Sequence, residues 1–285
     1  MILRVAEYFE GNWYGKSTQE DTGRPRGRKP NVSDEDLLAK IREVITGSRF
    51  HGEGYVKVHA ILRRKCQVTA SKERILRLMR DNDLLSPHRH VRTARESRKH
   101  DGVIITQGPD QMWGTDGKLF RTARDGWCWF FGVIDHFNDE ILSFNVSRRG
   151  TRWEAMEPIR AAVKKRFGSL DRDVCKNLSL RLRSDHGTQY DSKDFMNEMA
   201  YLGLEMSKSF VREPQCNGCI ERFNRTIEEE VFSIESFDTT EEAERAIKLF
   251  VEDYNNQWMI HRLGLRSPLE YRVEFEAELT SSVSC

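Results

Sequence analysis

Residues 111–146 read "QMWGTDGKLFRTARDGWCWFFGVIDHFNDEILSFNV". Two runs, "QMWGTDGKLF" and "GWCWFFGVID", flank an Arg-Asp-Gly turn, and "EILSFNV" follows a second turn at "HFND". Apolar runs separated by tight turns predict three strands in an antiparallel meander. "RWEAMEPIRAAVKKRF" predicts a helix after them, with Pro158 near its first turns. "LSLRLRSD" then reads as a buried strand ending at Asp185, residues 191–202 as a helix and "LEMSKS" as a short strand. Two long helices follow, over about Pro214–Ser236 and Thr240–Gln257. A meander continued by helix, strand and helix is a mixed α/β layer fold.

Upstream the composition changes. "TGRPRGRKPN" (22–31) mixes Pro, Gly and Arg and reads as an extended basic arm. Ser33 is an N-cap for "DEDLLAKIREVI", on which Leu37, Leu38, Ile41, Val44 and Ile45 share a face. Further helices are expected at "YVKVHAILRRK" and, from Ser71, at "SKERILRLMRDNDL". Three short helices with basic outer faces fit a helix-turn-helix-like module. Residues 86–109 are polar and basic and read as a linker able to lie along a phosphate backbone.

The formal net charge of +1 conceals an asymmetry: residues 24–99 hold 20 Lys or Arg against 9 Asp or Glu, and residues 100–285 hold 24 against 32. A basic front and an acidic body point to a polyanion-binding module joined to a part whose carboxylates have another use. The six cysteines show no framework spacing, so reduced thiols are expected. Neither a signal peptide nor an apolar run of membrane-spanning length is visible, which makes a cytoplasmic protein without membrane contact the expectation.

Three carboxylates occupy expensive positions. Asp116 lies inside the first strand between Trp113 and Phe120, Asp185 ends a later strand before the "HGTQY" turn, and Glu221 stands on a helix. Oxygen-only ligands suit Mg²⁺, and a pair of such ions can serve phosphoryl transfer. Thirty-five residues separate Asp185 from Glu221. With that spacing the chain resembles the DDE transposases and retroviral integrases, and more narrowly the catalytic OrfB product of bacterial insertion-sequence family three. "WGTDGK", "RSDHGTQYDS" and "EPQCNGCIERFNRT" are similar to that family's Asp, Asp and Glu motifs. "FHGEGYVKVHAILRRKCQVTASKERILRLMRDNDLLSP" and "DYNNQWMIHRLGLRSPLEY" resemble the segments before and after its core.

The resemblance implies a ribonuclease H-like fold, a mixed five-stranded sheet with flanking helices preceded by the small all-α module. It divides the chain into an N-terminal segment and basic arm (1–31), a helix-turn-helix-like domain (32–86), a basic linker (87–109), an integrase catalytic core (110–275) and a tail (276–285). It implies DNA strand cleavage and strand transfer, with Asp116, Asp185 and Glu221 as catalytic residues binding two ions of Mg²⁺ or Mn²⁺. The implied partners are DNA at element ends and target, further copies of this chain and an upstream-frame OrfA-like protein, working at the bacterial nucleoid. The alternative reading is a decayed or domesticated DNA-binding remnant.

Candidate DNA contacts are Arg24, Arg26, Arg28 and Lys29 on the arm, and Arg63, Arg64, Lys65, Lys72, Arg74 and Arg77 on the helical module. Around the carboxylates they are His186, Asn217, Arg222 and Arg225, although His186 equally suits turn packing, Asn217 a helix cap and Arg225 an ion pair with Glu221. Asp135 reads either as support for the site or as a turn cap. Trp113, Trp127, Trp129 and Trp153 read as core. Cys216 and Cys219 have the spacing of half a zinc site but lack a second pair. The family usually carries Lys or Arg seven residues after its Glu; here Glu228 occupies that position, about 10 Å along the same helix face, where it should repel a phosphate.

Overall fold

The computed structural model describes residues 31–86, 106–185, 187–208 and 218–283. Helices α1 (Asp34–Gly47), α2 (Tyr55–Arg64) and α3 (Lys72–Asp81) form the front module. The Ser33 and Ser71 hydroxyls accept from the backbone N–H of Asp36 and Arg74, satisfying helix-start donors as expected of N-caps. Leu37, Ile41, Val58, Leu62, Ile75 and Met79 close a small core between the three helices.

Strands β1 (Met112–Thr122), β2 (Gly126–Asp135) and β3 (Ile141–Ser147) form the expected meander, joined by β4 (Arg181–Ser184) and β5 (Glu205–Lys208). The sheet order is β3-β2-β1-β4-β5, antiparallel among the first three and parallel from β1 to β4 to β5. Helices cover both faces. On one, Trp113, Phe131, Val133 and Leu142 pack against α4 (Arg152–Phe167) and α5 (Lys193–Leu202). On the other, Phe120, Phe130 and Ile134 meet α6 (Gly218–Ile227) and α7 (Thr240–Gln257). Burial from both sides explains why "FFGVID" is apolar without alternation. No helix among the described residues is long and apolar enough to cross a membrane.

Four local expectations are corrected. Pro158 sits in the middle of α4, not in its first turns. Lacking an N–H, it leaves the Glu154 carbonyl without its helical donor, and the Asn145 amide of β3 supplies one at 3.0 Å. The helix carrying Glu221 does not run to Ser236; it ends at Ile227 and widens into a π-helical segment, Glu228–Phe232. Trp127 and Trp153 are 65% and 55% exposed, whereas Trp113 is buried and Trp129 partly so. Trp127 opens β2 beyond the helix cover, and Trp153 lies on the solvent side of α4 beside the Arg152 guanidinium. Residues 276–283 continue α8 (Pro268–Val283) as helix.

The π segment also joins the front module to the sheet. It directs buried Glu230 at the α1–α2 turn, where its carboxylate accepts the N–H groups of His51 (2.6 Å) and Gly52 (2.7 Å). A Cβ on Gly52 would stand 2.3 Å from Glu230 Oε1, so a side chain there would push the carboxylate off these two donors. Phe50 inserts between Phe250 and Trp258, and Arg49 forms a forked pair with Asp253 at 2.9 Å.

Candidate active site

Strands β1 and β4 set Met112 beside Arg181 and Gly114 beside Arg183. Continued by two residues, that register brings Asp116 beside Asp185, just past the carboxyl end of β4. Ile220 and Phe223 seat α6 against Phe130 of β2, which fixes where Glu221 stands. Parallel register and one helix packing thus bring Asp185 and Glu221 within electrostatic reach of Asp116.

Asp116 is half-buried. Its Oδ1 accepts the Gly117 N–H and its Oδ2 accepts the Asn224 side-chain amide, both at 2.8 Å. Burial, then the neighbouring Asp185 charge and, more weakly, Glu221, push its carboxyl from 3.8 to about 6 in spite of those two hydrogen bonds. Asp185 is exposed, with Oδ1 accepting the Gly187 N–H at 2.9 Å. Burial raises the Glu221 carboxyl, and Arg225 one turn further along opposes that rise. Beneath the aspartates lies fully buried Tyr190, its hydroxyl held well above the ordinary phenol range by burial and by the Asp116 charge. A cleft of about 550 Å³ opens here, lined among others by Asp116, Lys118, Glu221, Asn224, Arg225 and Glu228.

Asn224 and Lys118 escaped the reading of the sequence, although spacing could have found both. Asn224 is three residues beyond Glu221 and so shares its helix face, and Lys118 is two beyond Asp116 on the same side of the strand. Glu228 does not stand alone at the cleft: the Lys118 ammonium lies 2.9 Å from its Oε2, so that acid faces the cleft already paired. Among the described residues no three His, Cys, Asp or Glu side chains stand close enough together to enclose one ion.

Asp135 resolves as a turn cap, accepting the N–H groups of Asp110 (2.8 Å) and Phe137 (2.9 Å) three rungs away from Asp116. Burial pushes its carboxyl from 3.8 to about 7. The folded state thus holds a proton that the unfolded chain releases, so this stabilising contribution is complete below about pH 4 and is lost as pH rises to about 7. Asp135→Asn is expected to remove that decline, seen as a flatter profile of unfolding free energy against pH than the wild type shows.

Two families described as integrase core domain match residues 106–214 and 202–268, and one described as HTH-like domain matches 33–92. Over residues 106–268 the chain is thus similar to the DDE transposases and integrases. Its five-stranded sheet is the ribonuclease H-like integrase core. Among curated proteins it is similar to the transposase InsD for insertion element IS2A/D/F/H/I/K of Escherichia coli, at 29% identity over 86% of this chain and 80% of that protein. InsD for IS2-9 of the K12 strain matches at 29% over 86% and 79%. Among solved structures, the catalytic core domain of BIV integrase aligns at 18% identity and a TM-score of 0.43, over 60% of this chain and 99% of that one.

Around the integrase core the basic candidates divide. Arg225 lines the cleft, whereas Arg222 turns toward Asp139 at 3.9 Å. In the HTH-like domain, Arg64 donates to the carbonyls of Gly264 and Leu265, and Arg74 and Arg77 both bind Asp34. Those three guanidinium groups thus have acceptors within the protein, although Arg64 and Arg77 remain exposed. Arg63, Lys65 and Lys72 are exposed. Arg24, Arg26, Arg28, Lys29, His186 and Asn217 lie outside the described residues, as does Cys216. Burial, with Asp139 nearby, pushes the Cys219 thiol up to about 12, which disfavours the thiolate that a zinc ligand must be.

Proposed function

We propose that the chain is a DDE-type polynucleotidyl transferase that cuts DNA at the ends of an insertion element and joins the freed 3′ hydroxyl to a target strand. The observation that supports this best is the electrostatic burden on Asp116, a half-buried carboxylate set against two further acids at the mouth of a cleft. A divalent cation would relieve that burden, and an oxygen-only donor set suits Mg²⁺ or Mn²⁺. Asp116, Asp185 and Glu221 would hold two such ions. When bound, the ions activate water and stabilise the attacking and leaving oxygens of phosphoryl transfer.

The chain's own groups orient these ligands. Gly117 N–H and the Asn224 amide each hold one Asp116 oxygen, and Gly187 N–H holds one oxygen of Asp185. Phe131 fills the space where a side chain at Gly117 would stand. Exposed Arg63, Lys65 and Lys72 of the HTH-like domain supply backbone contacts to the element end, joined by the basic arm and linker. Concerted cutting of two ends calls for further copies of this chain, and an OrfA-like partner would complete end recognition at the nucleoid.

Incubation with a duplex copied from the DNA flanking its gene tests the reading. Nicking and joined products are expected with Mg²⁺ or Mn²⁺ and neither with chelator. Binding without cleavage in either metal would overturn it in favour of a DNA-binding remnant.

A further inference from the structure

The cleft beside the carboxylates holds a charge arrangement that the cutting chemistry does not use. Asp116 and Lys118 project from the same side of β1, about 7 Å apart along the strand. The facing wall is α6 and the first residue of the π segment, with Glu221, Arg225 and Glu228. A DNA strand entering here meets mainly acids, because Glu229 lines the cleft as well. Of the two cations in the lining, Arg225 is one helical turn from Glu221 and lowers that carboxyl. Lys118 is the other, bound at 2.9 Å to Glu228, whose side chain is 44% exposed against 23% for the lysine. An ion pair with so exposed a partner is weakly held, so a phosphate oxygen can replace the carboxylate at little cost.

We propose that Lys118 grips the DNA backbone one step along the cleft from the scissile phosphate, and that Glu228 is its placeholder, keeping the ammonium extended across the cleft until DNA displaces it. Positive charge then reaches the substrate from the strand, since the helix presents an acid at that point. The inference rests on the proposed DNA-cutting role of the same cleft.

A purely structural ion pair and a phosphate grip make different predictions for its two halves. If the pair only braces β1 against α6, Lys118→Gln and Glu228→Gln remove the same interaction and affect DNA binding alike. If Lys118 grips phosphate, the two act in opposite directions. The test is the salt dependence of binding of the full chain to a short fluorescein-labelled duplex, followed by anisotropy, with Mn²⁺-dependent nicking of the same duplex measured alongside. Lys118→Gln should bind several-fold more weakly and lower the slope of log affinity against log salt by about 1. Glu228→Gln should bind more tightly than the wild type, and Lys118→Arg should retain the wild-type slope. Thermal unfolding of each variant confirms that folded protein is compared. A Lys118→Gln variant that binds like the wild type, or two glutamine variants that shift together, would overturn the grip while wild-type nicking leaves the DNA-cutting role standing. A wild type that neither binds nor nicks the duplex would overturn both.

Discussion

Asp185→Asn and Glu221→Gln are each expected to lower metal-dependent strand cleavage and joining by about a thousandfold or more while leaving the fold intact. A bound metal contributes several kcal/mol of transition-state charge stabilisation, and every 1.36 kcal/mol is a factor of about ten in rate. Both substitutions keep side-chain size and remove one negative oxygen donor. Both positions are exposed, so little packing is disturbed. They should also ease the burden on Asp116, whose carboxyl is raised in part by these two charges. In metal-free protein, NMR titration of Asp116 should therefore show its midpoint moving down from about 6, and further in Asp185→Asn than in Glu221→Gln, matching the order of the two influences. Wild-type cleavage rates in either variant would remove the carboxylates from the reaction. An unmoved Asp116 midpoint would contradict the electrostatic reading of the site even if cleavage were lost.

Arg262→Ala is expected to cost about 3–5 kcal/mol, because it strands a buried acid. The Arg262 guanidinium is 2.9 Å from Asp139 Oδ2 and 2.8 Å from Oδ1, and also donates to the carbonyls of His136 (2.9 Å) and Phe137 (3.1 Å). Asp139 is 3% exposed at the side chain, and its other cationic neighbour, Arg222, is 3.9 Å away. Removing the guanidinium takes away the close counter-charge of Asp139 and the donor to two carbonyls of the β2–β3 turn. Domains of ordinary size are stable by only about 5–15 kcal/mol, so the loss should be plain as a lower denaturation midpoint in urea. The same Asp139 accepts from Cys219 at the start of α6, two residues before Glu221. Cleavage activity should therefore fall together with stability. An unchanged midpoint would show that water or a rearranged Arg222 satisfies Asp139.

The meander and the front helices were legible in the sequence for local reasons, and the three carboxylates stood out as candidates for the same kind of reason. Strand runs between tight turns, serine caps before apolar periodicity, and acids set into apolar strands each carry their signal within about ten residues. The family resemblance then joined Asp116 and Asp185 to Glu221 across the spacing of 35 residues. What the sequence could not show depends on which distant elements come to lie side by side. Pro158 stands in mid-helix because Asn145, on another strand, serves the carbonyl it orphans. Arg64, Arg74 and Arg77 look like free cations until packing gives them acceptors, and Trp127 and Trp153 look like core until the helix cover stops short of them. Glu228 looked like a charge that repels DNA, and only the packing of α6 on β1 puts Lys118 beside it. Sequence by itself determined the strands, the helices and the candidate carboxylates, because residue type and local period are written in the chain; tertiary structure decided which charges have partners, because groups far apart in the chain are brought together by register and packing alone.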